Sequence, residues 1–231
     1  MSTYKAIALC GLKGGVGKSL ISINLACAYH GAGRKVLLVD ADAQGTARTW
    51  AGQGAKNGHD VPPVVSLDER TIVRDLPRVA AGYDIIVVDS PARLGAEARA
   101  AMVTADLVLM PVIPGAADVW ALRETIGVYE EARALRPDLV ARIVLNRTDR
   151  TTLAEATSEY ITKLGVEVLD EGLGSRVAFG NATLEGLGVL AYEPSSMAAE
   201  EVGKLFAAVD RLLFPRARKG SHAQDESPPP R

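Results

Sequence analysis

The stretch ALCGLKGGVGKSLISINLA, residues 8–26, decides how the whole chain is read. An apolar run, KAIALCG, leads into a glycine-rich turn, and the helical stretch SLISINLACAYHGAG follows it. The first turn of a helix carries unsatisfied N–H donors and the positive end of its dipole, so a strand–glycine loop–helix unit can wrap backbone N–H groups around phosphate oxygens. Glycine permits the positive φ angles and the close approach that such wrapping requires. Gly14, Gly15, Val16, Gly17, Lys18, Ser19 and Leu20 are therefore the expected phosphate-binding residues. Lys18 suits the β/γ phosphates, and the Ser19 hydroxyl suits a Mg²⁺ shell. Two departures stand out: Leu12 occupies the place of the first glycine in the ordinary G-x-x-x-x-G-K-[ST] pattern, and a second lysine, Lys13, precedes the paired glycines.

Outward from this unit, further short apolar runs alternate with helical stretches: KVLLVDAD, PVVSL, DIIVVDS, DLVLMPV and ARIVLNR. Most of these runs are apolar throughout, as in strands buried on both faces. The expected fold is α/β, a mostly parallel twisted sheet with helices on both faces. Helices are expected to close near Gly31 and Gly33 and to restart near Thr151 and Thr152. Residues 52–63, GQGAKNGHDVPP, are polar and rich in Gly and Pro and are expected to form a surface loop. One domain is expected over residues 1–215, and the apolar-poor residues 216–231 are expected to be a disordered tail.

The 231 residues are 48% apolar and 23% charged, with a formal net charge of −2, so any nucleic-acid contact must come from a local basic patch. Cys10 and Cys27 both fall in the first strand–helix unit and are expected to be buried thiols in a reducing compartment. No apolar run is long enough to span a bilayer, and the N-terminus is too poor in apolar residues for a signal peptide, which predicts a cytoplasmic protein.

Three acidic positions complete the chemistry. Asp40 and Asp42 stand at the C-terminal end of the second strand, the edge at which open α/β sheets bind ligands. One carboxylate there can join a Mg²⁺ water shell and another can orient attacking water. Asp89 follows four apolar residues, where a carboxylate would face bound Mg²⁺.

With these residues in order, KGGVGKS resembles the deviant Walker A loop of the ParA/MinD superfamily of ATPases, a P-loop NTPase group. The resemblance spans roughly residues 4 to 214, although only the nucleotide motifs are specific. It implies that Lys13 reaches across a dimer interface to the partner subunit's nucleotide. DADAQG resembles the family's D-x-D-P-Q-G, with Ala43 in the place of proline; on that match Asp42 positions the hydrolytic water and Asp40 lies near the metal. Asp89-Ser90-Pro91 fits the family's D-[TS]-[PA], and residues 90–95 would sense the γ-phosphate. Asn146 matches an asparagine that reads the adenine edge.

The chain is most similar to the short partition and cargo-positioning members. That implies an ATP-bound homodimer with Mg²⁺, nonspecific DNA binding on the nucleoid, and slow hydrolysis stimulated by a cargo-bound ParB-like or adaptor protein. Arg147, Lys163, Arg176, Lys204 and Arg211 are the DNA-contact candidates. A MinD-like membrane role is the alternative, followed by a metabolic enzyme such as an amidoligase. The last helix, about Ser196 to Phe214, presents Val202, Leu205, Phe206, Val209, Leu212 and Leu213 at helical spacing, which is expected to dock on the sheet and not on a membrane. The two cysteines do not supply the cluster ligands of a nitrogenase-iron-protein type of ATPase.

Overall fold

The computed structural model describes residues 4–68, 71–93, 96–148 and 159–215. Six strands, β1 (Lys5–Leu9), β2 (Val36–Asp40), β3 (Val64–Ser66), β4 (Ile85–Asp89), β5 (Leu107–Val112) and β6 (Val140–Leu145), form one sheet in the order β3-β2-β4-β1-β5-β6. Every pairing among them is parallel. Register matters for chemistry here. Leu9 of β1 and Asp40 of β2 both pair with Asp89 of β4, so the glycine loop and two of the three acids leave the sheet at one edge.

The inner strands are almost wholly apolar because each face has its own core, whereas β3 and β6 at the two edges are only partly buried. Ala6, Ala8 and Cys10 point into one cluster, with Met102, Leu122 and Tyr129 from the helices α4 (Ala96–Thr104) and α5 (Ala116–Leu135). Ile7 and Leu9 point into the other, with Ile21, Leu25 and Tyr29 of α1 (Lys18–Gly31). Small residues on one side of β1 and branched ones on the other let helices cover both faces. Cys10 is fully buried, whereas Cys27 is only partly so.

The polar stretch after residue 51 differs from its expected form. Helix α2 (Thr46–Lys56) runs through the first half of it, leaving only residues 57–63 as loop. One of its glycines serves contact between helices: a Cβ on Gly54 would come within 2.7 Å of the Gly186 carbonyl oxygen, at the C-terminus of α6 (Val177–Glu185). Trp50, on the same helix, is 2% exposed and donates its indole N–H to the Leu187 carbonyl at 3.2 Å. Trp50→Ala should therefore lower unfolding free energy by about 3–5 kcal/mol, read from urea denaturation; a loss below about 1 kcal/mol would contradict this packing.

After α6, the short α7 (Val189–Tyr192) leads to α8 (Met197–Leu213), whose N-cap Ser196 accepts from the Ala199 N–H at 3.2 Å. Val202, Leu205, Val209 and Leu213 are buried, and Phe206 meets Tyr29 of α1 edge-on at 4.8 Å. The apolar stripe of this last helix is thus core, as its spacing predicts. Among the described residues no helix is long and apolar enough to cross a membrane. The expected helix restart at Thr151–Thr152 and the expected disordered tail at 216–231 lie outside the described residues.

Candidate nucleotide site

After β1 the chain turns through Gly15 at φ 78° and Gly17 at φ 102°, left-handed values that favour glycine, and Gly17 is the N-cap of α1. The loop is propped from behind by Asn146, at the end of β6 and 1% exposed. Its Nδ2 donates to the Val16 carbonyl at 2.7 Å, and its Oδ1 accepts from the Arg147 N–H at 2.9 Å. A Cβ at Gly17 would lie 2.0 Å from that Nδ2. Gly17→Ala is therefore expected to break the prop and weaken ATP binding at least tenfold in calorimetry, with a lowered melting temperature; unchanged affinity would contradict it.

Lys18 is buried, and its Nζ donates to the Lys13 carbonyl at 3.2 Å, so the loop closes on its own lysine. Burial lowers the proton affinity of this amine, while Asp89 and then Asp42 pull it back up. Asp89 is fully buried beside it. Burial pushes its carboxyl up to about 7, opposed by the neighbouring Ser19 hydroxyl and reinforced by nearby Asp40. Asp89 Oδ1 accepts from the Ser22 hydroxyl at 3.4 Å, whereas Oδ2 is buried without a hydrogen-bond partner. Such an atom, next to a serine hydroxyl at a helix N-terminus, fits Mg²⁺, a hard cation that takes oxygen ligands. Among the described residues no group of three or more His, Cys, Asp or Glu could hold a metal ion.

Asp40 has both oxygens engaged. Oδ1 accepts from the Asp42 N–H at 3.2 Å, and Oδ2 accepts from the Arg48 N–H at 3.0 Å and its Nε at 3.4 Å. Arg48 carries no motif that marks it in the sequence. Asp42 is half-buried and accepts from the Gln44 N–H at 3.0 Å, in the turn that leads into α2. Ser90 donates its hydroxyl to the Leu9 carbonyl at 2.6 Å and ties the end of β4 to β1; residues 94 and 95 of the expected γ-phosphate segment lie outside the described residues.

The structure thus gathers Lys18, Ser19, Asp40, Asp42 and Asp89 at one edge. Lys13 is placed elsewhere: its Nζ lies 2.9 Å from Asp118 Oδ2, on the first turn of α5. On the other side of Gly17, a groove of about 440 Å³ is lined by Leu20, Asn146, Arg147, Arg176 and Phe179, a size and polarity that suit a base and sugar. The basic candidates do not form one unopposed patch. Arg176 pairs with Glu201 at 2.7 Å, Lys204 with Glu200 at 2.7 Å and Arg211 with Glu171 at 3.0 Å, while Lys163 and Arg147 are exposed.

Residues 7–189 match the model of the CobQ/CobB/MinD/ParA nucleotide binding domain. The chain is 36% identical over 214 residues to the maintenance of carboxysome distribution protein A of Halothiobacillus neapolitanus, covering 90% of this chain and 99% of that protein. It is 29% identical to the chromosome-partitioning ATPase Soj of Thermus thermophilus, covering 87% and 93%. Among solved structures, an ATP complex of Cyanothece McdA superposes with a TM-score of 0.72 at 15% identity, over 92% of this chain and 97% of that one. Pyrococcus horikoshii MinD with Mg-ADP superposes at 0.71 and 23%, over 93% and 99%.

Proposed function

Since the chain belongs to the CobQ/CobB/MinD/ParA nucleotide-binding family, we propose that it is a cargo-positioning ATPase that two subunits form around Mg-ATP. The observation that carries this reading is the orphaned Asp89 oxygen beside Ser19 and Lys18, under a loop that bears a second lysine pointing away from it. Lys18 and the loop N–H groups hold the phosphates, Ser19 and Asp89 hold Mg²⁺, and Asp42 orients water for attack on the γ-phosphate. When bound, Mg²⁺ neutralises charge on the phosphates. Asp40 holds the Asp42 turn and α2 through its contacts to Asp42 and Arg48. Asn146 supports the loop and faces the base groove. Lys13 completes the site of the other subunit, so hydrolysis is slow until two subunits meet and a cargo-bound ParB-like or adaptor protein acts on them.

In the ATP state the dimer binds DNA without sequence preference and so rides the nucleoid in the cytoplasm. Arg147 and Lys163 offer exposed charges, and Arg176, Lys204 and Arg211 contribute by exchanging glutamate partners for phosphates. The similarity to carboxysome-distribution proteins favours a large protein assembly as cargo over a plasmid or chromosome region. A membrane role has less support, since the apolar stripe of α8 is packed on the core.

DNA co-sedimentation with ATP, ADP or no nucleotide across a salt series tests this directly. Binding is expected with ATP alone, on unrelated sequences, and falling steeply with salt. An ATP-bound dimer that leaves DNA in solution at low salt would overturn the nucleoid reading.

A further inference from the structure

We propose that Asp118 is a latch on Lys13, holding the lysine within its own subunit until a phosphate of a second subunit's nucleotide takes the place of the carboxylate. The inference rests on the reading above in one respect, that Lys13 acts across the dimer interface.

The geometry is specific. Lys13 Nζ lies 2.9 Å from Asp118 Oδ2, with side-chain exposures of 44% and 10%. The other oxygen, Oδ1, is buried without a hydrogen-bond partner, so the carboxylate depends on the lysine for its compensation. The N-terminal end of α5 adds only a partial positive charge. The backbone around Lys13 is tied at two points, since its carbonyl accepts from Lys18 Nζ at 3.2 Å and the neighbouring Leu12 N–H donates to Thr125 Oγ1 at 3.4 Å. The long, half-exposed side chain is the part that swings. One side of α5 therefore backs the loop twice: Thr125 stands seven residues, about two turns, after Asp118.

An ammonium on a four-carbon stem cannot sit on Asp118 and on a phosphate across an interface at once. Reaching across means exchanging one anion for another, and the monomer is favoured by whatever the first contact is worth. The lysine trades one anion for another, and the carboxylate it leaves behind loses its compensation, a cost that the phosphate contact must outweigh. Without bound ATP on the facing subunit there is nothing to replace the carboxylate, and the lysine stays at home.

Asp118→Asn keeps the shape and removes the charge. Each latch is worth at least roughly threefold, the scale of an exposed ion pair, and a dimer opens two, so the protein concentration for half-dimerisation in Mg-ATP should fall about tenfold or more. The hydrolysis rate at low protein concentration should rise with it. Asp118→Ser, which also removes the charge, is the second variant should the first not fold, as judged by melting without nucleotide. Asp118→Glu restores a charge within reach and is expected to return the threshold toward wild type. An Asn or Ser variant that dimerises at the same or a higher concentration than wild type overturns the latch and makes Asp118 a support for the assembled site. The two-subunit reading is separable in the same experiment. If wild type dimerises in Mg-ATP and Lys13→Ala does not, that reading stands whichever way Asp118 behaves; if wild type never dimerises, it falls and the latch falls with it.

Discussion

Replacing Lys13 by Ala is expected to leave ATP affinity of the single subunit within a few-fold of wild type while hydrolysis falls by about a hundredfold or more. The two lysines of the loop are not equivalent in position. Lys18 is buried in the cradle, next to Asp89, while the Lys13 ammonium sits on Asp118 and outside its own phosphate site. Removing a charge that meets the phosphates only in the assembled pair lowers turnover and spares ground-state binding. Lys18→Ala, by contrast, should lose both. Calorimetric ATP titration and phosphate release in parallel separate the two outcomes. A Lys13→Ala protein that hydrolyses ATP at the wild-type rate would remove the reason for proposing a two-subunit site.

The second large effect concerns stability and pH. Burial pushes Asp89 from 3.8 up to about 7. Below about pH 4 the folded and unfolded chains both hold the proton, and burial of the group carries no charge penalty. Between about 4 and 7 the unfolded chain releases the proton and the folded one keeps it, so the folded state binds more protons and loses stability as pH rises. Above about 7 the penalty is complete, on the order of a few kcal/mol. Asp89→Asn removes it. The nucleotide-free, Mg²⁺-free Asn variant should therefore be more stable than wild type at pH 8 and converge with it near pH 4, while losing Mg-ATP hydrolysis. Urea unfolding of both chains at several pH values is the measurement; parallel pH profiles would show that the carboxylate is not the strained group. A site that destabilises the empty chain in this way is one that a bound cation relieves.

Much of this arrangement was legible because it is local in sequence. The glycine loop lies between a strand and a helix within twenty residues, and Asp40 and Asp89 each end an apolar run, so the alternation of strands and helices already puts them on one edge. Docking of the last helix followed from the spacing of Val202, Leu205 and Val209. What the sequence hid is partnership at long range. Asp118 reads as an ordinary acid in a first helical turn and Thr125 as a helix residue, until the fold sets them against residues 13 and 12. Gly54 misled for the same reason: glycine in a polar stretch reads as loop, whereas Gly54 is small because another helix end lies against it. The basic residues were readable as charges but not as ion pairs, since Glu201 and Glu171 are 25 and 40 residues from the arginines they meet.

Sedimentation velocity of the full chain in Mg-ATP, Mg-ADP and no nucleotide tests the two-subunit switch most directly. A doubling of mass with Mg-ATP alone, absent in Lys13→Ala, is the expected result. A single-subunit mass in Mg-ATP at every protein concentration, with hydrolysis still proceeding, would contradict it.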